Sequence, residues 1–135
     1  MATYNKFNSF VEAIAEKVHN LGSDTLTVAL CAAANAPVAG NTQLSNLTQI
    51  SYTNLSARTI TVSASSQTSG SYTLVTSDKV LTASGAVATF RYVVIYNDTA
   101  TNDELICWFD YGGDVTLANG ETFTIDFGSQ LFTLA

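Results

Sequence analysis

The stretch VIYNDTATNDELICWFDYGG, Val94 to Gly113, decides the fold class. Two runs of β-branched and aromatic residues flank a polar middle, and such residues suit a pleated, half-buried surface. VVIYN climbs, Asp98 to Asp103 turns, and ELICWF descends. Asp, Asn and Thr favour turns because their short side chains bond to nearby backbone. On the rising arm, Phe90, Tyr92, Val94 and Tyr96 are expected on one face, with Arg91, Val93, Ile95 and Asn97 on the other.

Working outward, TLTVALC (Thr25 to Cys31) and RTITVSAS (Arg58 to Ser65) alternate in the same way. Further strands are expected in SYTLVTS, GAVATFRYVVIYN, ELICWFDY, DVTLA, ETFTIDF and QLFTL. SSQTSGSY (Ser65 to Tyr72) reads as a hairpin tip, and Gly112-Gly113 as a turn. Asn119-Gly120 reads as a two-residue hairpin turn, in which both residues must tolerate positive φ. Many short strands with frequent turn signals predict a mainly β, antiparallel β-sandwich or jelly-roll-like domain. At 135 residues the length fits a single domain.

One segment reads as helix. From Tyr4 to Leu21, apolar residues at Phe7, Phe10, Val11, Ile14, Ala15, Val18 and Leu21 make an amphipathic stripe. Gly22 is the expected stop, with His19 solvent-facing in the last turn. Between Ala32 and Asn54 lies a long loop holding the only proline, Pro37, with a short strand expected near Thr48 to Tyr52. A loop of this length in a compact domain is usually functional.

Apolar residues make up 47% of the chain and charged residues 12%, so Ser, Thr, Asn and Gln must supply the polar surface. A surface short of charge is poorly guarded against association and suits a protein packed in an assembly. The net charge is −6, with only Lys6, Lys17, Arg58, Lys79 and Arg91 as bases. Scattered bases offer no footprint for phosphate, so nucleic-acid binding is not expected. MATYNKFNSF lacks the apolar stretch of a signal peptide, and no run is long enough to cross a bilayer, so neither secretion nor a membrane is expected. Without secretion, the NLT, NLS and NDT tripeptides at Asn46, Asn54 and Asn97 have no meaning as glycosylation sites.

Chemistry needs particular constellations. Asp98, Asp103 and Glu104 offer oxygens for calcium, but the loop lacks the D-x-[DN]-x-[DN]-G spacing, an internal glycine and a distal bidentate Glu. No metal site is assigned. Asp110 and Asp126 could flank an aromatic groove with Trp108, as a glycosidase requires, yet eleven acids supply such pairs by chance. With one histidine, His19, and no G-x-S-x-G, neither a multi-histidine metal site nor a nucleophile elbow is available. Cys31 and Cys107 sit in apolar runs and read as buried free thiols. No enzyme activity and no cofactor are expected. Trp108 and Tyr111 are candidates for an interface or a sugar-stacking platform.

Two blocks carry a family likeness. MATYNKFNSFVEAIAEKVHNLGSDTLTVALCAAANAPVAGNTQLSNLTQI and RYVVIYNDTATNDELICWFDYGGDVTLANGETFTIDF together resemble small proteins encoded among the structural genes of tailed phages and prophages. They cover roughly two-thirds of the chain, and Ser51 to Ala88 matches less clearly. The resemblance lies in phrases rather than catalytic motifs. It implies a virion component, a capsid decoration (cement) protein made in the host cytoplasm and placed on the capsid exterior. The implied partners are the major capsid protein and further copies of the chain, as a dimer or trimer. Contacts are expected from Thr3, Tyr4 and Lys6, from Asn35, Pro37 and Asn41 in the long loop, from Asp98 and Asn102 at the hairpin tip, and from Trp108 and Tyr111. A tail-tube, tail-completion or head–tail connector role is the alternative within the virion, and a carbohydrate-binding adsorption module using Trp108 and Tyr111 is the further alternative.

Overall fold

A computed structural model describes residues 2–135. The described chain runs β1 (Tyr4–Lys6), α1 (Ser9–Ala15), β2 (Leu26–Cys31), β3 (Thr59–Ile60), β4 (Val62–Thr68), β5 (Ser71–Thr76), β6 (Lys79–Thr82), β7 (Phe90–Asn97), β8 (Leu105–Val115), β9 (Thr122–Ile125) and β10 (Phe132–Leu134). It is a mainly β protein of antiparallel sheets with one short helix near the N-terminus, a sandwich-like arrangement. A five-stranded sheet, ordered β1-β8-β7-β2-β3, faces a three-stranded sheet, β10-β5-β4, and a two-stranded sheet, β6-β9. No described helix is long and apolar enough to cross a membrane.

The β7–β8 hairpin forms the middle of the large sheet, with Val94 opposite Trp108 and Ile95 opposite Cys107. Strand β2 adds to the free side of β7, pairing Leu26 with Asn97 through Cys31 with Tyr92. Both faces of this sheet are covered. On the inner face, Val28, Leu30, Val93 and Ile95 pack against Leu74, Leu81, Ile125, Phe132 and the helix residue Phe10. On the outer face, Ala29, Cys31, Val94, Tyr96 and Leu105 pack against Phe7, Leu44, Leu47 and Trp108. Every residue of β2 is therefore buried. Cys31 and Cys107 are free thiols in these two opposite cores, so the sheet itself separates them. Burial pushes the Cys31 thiol up to about 11 and the Cys107 thiol higher, which leaves both unreactive.

Phase along β7 differs from the simple alternation. Phe90 shares the inner core with Val93 and Ile95, whereas Tyr92, Val94 and Tyr96 face outward. The break falls where the register with β8 shifts: Phe90 opposes Val115 but Tyr92 opposes Asp110, so β8 carries extra residues there as a bulge. Gly112-Gly113 supplies that bulge inside β8 and is not a turn between strands. Gly112 has φ +90°, and its N–H donates to Asp110 Oδ1 at 2.8 Å.

The N-terminal helix is much shorter than its apolar stripe. Tyr4–Lys6 is extended because it pairs with Cys107–Phe109 of β8 as an edge strand. Helix α1 is capped at Glu16, and the next residue, Lys17, turns the chain away in the left-handed conformation with φ +66°. The Val18 N–H reaches Ala13 C=O (2.9 Å) and the Lys17 N–H reaches Ile14 C=O (3.3 Å), a Schellman closure made without glycine. The stop thus comes five residues before Gly22, and His19 is folded into the interior, only 8% exposed.

Three other local expectations change. The Thr48 to Tyr52 strand is absent; that segment runs beside β2 through Ile50 N–H to Leu30 C=O (3.0 Å) and Leu30 N–H to the Tyr52 hydroxyl (3.0 Å). Asn119-Gly120 does turn the chain, but only Gly120 has positive φ, and the turn does not pair β8 with β9. Strand β9 instead pairs with β6, a strand the sequence reading passed over. The Ser65 to Tyr72 tip is a two-residue turn in which Ser69 (φ +50°) and Gly70 (φ +83°) both have positive φ, as a type I′ hairpin demands.

Phe7 anchors the outer core. It is fully buried, its ring lies 4.6 Å from that of Trp108, and its N–H donates to Ile106 C=O (3.2 Å). Phe7→Ala is expected to cost about 3–5 kcal/mol, read as a lower urea midpoint at unchanged m-value.

Candidate functional site

The hairpin tip and the long loop form one surface. Leu44 N–H donates to Asp103 C=O (3.0 Å), Leu105 N–H to Thr42 C=O (3.0 Å), and Gln43 bridges to Glu104. The loop is organised internally by two single 3-10 turns, Ala33–Asn35 and Leu44–Asn46. Asn46 Oδ1 accepts the N–H of Thr42 (2.9 Å) and of Gln43 (3.2 Å), and Asn41 Oδ1 accepts the N–H of Val38 (2.9 Å). At its far end, Arg58 lies over the Tyr52 ring with its guanidinium carbon 3.6 Å from the ring centre and donates to Val28 C=O. Tyr52 in turn donates to Gln49 Oε1 at 2.6 Å. The arm is a fastened plate over the outer core rather than a loose tether.

A buried amide holds the tip. Asn97 is fully buried, and all four of its side-chain bonding positions are used. Its Oδ1 accepts the N–H of Thr99 (2.9 Å) and Ala100 (3.1 Å), which fixes the amide orientation. Its Nδ2 donates to His19 Nδ1 (2.9 Å) and to Asp24 Oδ2 (2.6 Å). His19 Nδ1 therefore accepts, and the neutral ring carries its proton on Nε2. Burial lowers the His19 pKa below 6.5, against the opposing pull of Glu104 and Asp24. Thr27 Oγ1 donates to Asp98 Oδ2 (3.0 Å), and Thr99 Oγ1 accepts the Thr25 N–H (2.8 Å), so β2 clamps the other side of the turn.

The acids at the tip do not converge on an ion. Among the described residues, no group of three or more His, Cys, Asp or Glu side chains has a metal-binding arrangement. Asp103, left-handed at φ +51°, has its carboxyl pushed above the usual range by desolvation and by the carboxylates of Asp98 and Glu104.

A second feature is an aromatic groove of about 280 Å³ between β8 and β9, lined by Phe109, Tyr111, Phe123, Phe127, Thr124 and Asp126 among others. The pairing of Asp110 with Asp126 across a groove holding Trp108, which the sequence allowed but did not favour, does not occur. Asp110 sits opposite Tyr92 and is bound to Arg91 (Nε to Oδ1, 2.9 Å), which holds its carboxyl below the usual range. Asp126 alone lines the groove, and its Oδ1 accepts the Gly128 N–H at 2.7 Å. Canonical glycoside hydrolysis needs a second carboxylate across the scissile bond, and the lining of this groove supplies only Asp126. Trp108 packs on Phe7 in the outer core, while Tyr111 is 58% exposed and lies against Phe123 on the inner side. Strand alternation puts these two aromatics on opposite faces, so they do not make one sugar platform.

The predicted contact residues divide accordingly. Thr3, Lys6, Asn35, Asp98 and Asn102 are exposed, and Asn41 is half-buried as a turn cap. Pro37 is buried and unavailable for contact. The Tyr4 ring turns inward against Phe109 (5.9 Å) and Phe132 (6.2 Å), so it is a packing residue. Asn35 and Asn41 line one shallow hollow and Asn102 another, with Leu47 common to both. Sequence reasoning missed the His19–Asn97–Asp24 network, whose one local signal was a lone amide ending an apolar strand. No local pattern announced the Arg58–Tyr52 stack.

No family model, curated protein or solved structure matches the chain.

Asn97→Ala is expected to cost about 2–4 kcal/mol, since it strips partners from the buried His19 ring, from the part-buried N–H groups of Thr99 and Ala100, and from Asp24. Chemical denaturation measures it. His19 binds fewer protons folded than unfolded, so its contribution is complete above pH 6.5 and declines as pH falls from there toward its lowered folded value. The urea midpoint should drop across that window, and His19→Asn should remove the drop.

Proposed function

We propose that this chain is a non-enzymatic virion structural protein, a capsid decoration (cement) protein that stabilises a phage head by bridging subunits of the major capsid protein. The observation that carries the reading is the fastened, charge-free arm. From Thr25 to Ser77 the only charged residue is Arg58, and it is spent on Tyr52 and Val28 C=O. The exposed part of that span presents Ser, Thr, Asn and Gln together with Val38, which is 58% exposed.

Such a surface is suited to contact. Interface centres are depleted in charge because desolvating an unpaired charge is costly, whereas hydroxyls and amides can both donate and accept. A plate held in place by its own hydrogen bonds loses little conformational freedom on docking. The resemblance of the N-terminal and C-terminal blocks to tailed-phage structural proteins supplies the setting. Repeated over a symmetric shell, contacts of modest strength add through avidity.

Location and copy number in purified particles test this reading. Decoration predicts on the order of hundreds of copies on the head, against roughly six to twelve for a ring-shaped connector. Recovery with tails alone would transfer the chain to the tail. Val38→Glu places a charge on the arm without touching the core and should lower head occupancy about tenfold or more, as an unpaired charge buried at an interface does. Unchanged occupancy would remove the arm as the docking surface.

A further inference from the structure

We infer that the open edge of β4 is where a second copy of this chain pairs, antiparallel and across a two-fold axis. Strand β4 is bonded to β5 on one side, and its other side has no strand. Its seven residues, VSASSQT, carry no charge and no proline, and all but Val62 are exposed. The tip at Ser69-Gly70 makes Thr68 and Ser71 the closing bonded pair of the hairpin. Ser65 and Gln67 then fall in the non-bonded pairs with Leu74 and Tyr72, so their N–H and C=O groups point away from β5.

An open edge is a template for another strand, and proteins usually guard such edges by shortening or charging them. The other edges here are guarded. Strand β1 has three residues and includes Lys6, β3 has two, and β10 has three. The part of β8 beyond its pairing with β1 carries Asp110 and Asp114, β6 begins with Lys79, and β9 is flanked by Glu121 and Asp126. Strand β4 alone, among the described residues, is both long and unguarded.

Charge selects a second copy as the occupant. Two molecules of net charge −6 repel, and across a two-fold axis a charged residue meets its own like. Residues 59–77 hold no charge at all, so this edge can approach its copy without that cost. Ser, Thr and Gln are donors and acceptors at once, and so complement themselves. Seven residues a side are fewer than the roughly 20–30 of a standard interface, which makes the pair weak in solution and favoured where copies are held side by side.

Light scattering across a concentration series of the full chain tests the proposal, with amide hydrogen exchange at Ser65 and Gln67. Mass should rise from one chain toward two, with both amides becoming protected as it does. Gln67→Pro removes an outward N–H and should stay monomeric, with Ser65 exchanging freely. As a control for folding, Ser66→Lys and Ser66→Glu should each be monomeric alone and pair when mixed. A wild-type chain monomeric throughout, or Gln67→Pro pairing as well as wild type, would overturn the inference. The assay needs no capsid, so its outcome is separate from that of virion location.

Discussion

The structure depends on one requirement: the central strands are apolar on both faces, so both faces need cover. Strand β2 has no exposed residue, and Val93 through Asn97 of β7 are equally buried. A sandwich closes one face of such a sheet. The small sheets and Phe10 do so here. The other face falls to chain without regular strands, namely Phe7, Leu44 and Leu47, with Trp108 from β8 itself. The long loop is therefore half of a core, and its order follows from that burden. Fully burying a side chain such as Phe7 contributes roughly 1.5–3 kcal/mol, and the half-buried Leu44 and Leu47 add smaller shares that help hold the irregular segment in place.

Legibility in the sequence followed the range of the interactions. The β7–β8 hairpin, β2, β5 and β9 were readable because local alternation and turn chemistry decide them. The fold class followed. What failed was decided by distant partners. Tyr4–Lys6 lies within the span expected as helix but pairs with β8, since the hydrogen bonds offered by that edge outweigh an extra helical turn. Lys17 ends the helix in a conformation that Gly22 invites more cheaply, because Leu21 and His19 must turn back into the core. Gly112-Gly113 looks like a turn in any window of ten residues; only the register of Phe90 with Val115 shows the bulge.

The candidate site was legible as a region but not as an arrangement. Loop and tip were both marked as contact segments, and they do meet through Gln43, Leu44 and Asp103. That Pro37 would be buried, and that Tyr4 would turn into the inner core beside Phe109 and Phe132, depended on distant partners, which no local period reveals. Trp108 and Tyr111 illustrate the point most directly. They are three residues apart, and a strand puts an odd spacing on opposite faces. Their separation into outer core and inner groove was in principle readable from the sequence.

The charge distribution connects fold to function. Arg91 and Asp110 pair on the β7–β8 arms, and Asp98, Asp103 and Glu104 gather at the tip. Between Thr25 and Ser77 the chain relies on hydroxyls and amides, a composition that gives up the repulsion by which soluble monomers stay apart. Inside the arm, Asn41 and Asn46 show what those side chains gain in exchange, since each satisfies backbone groups of a segment without a ladder. The same residue types that let an irregular plate cover the outer core also leave it neutral toward a neighbour. One composition thus meets both demands: backbone satisfaction within the chain, and inexpensive desolvation between chains.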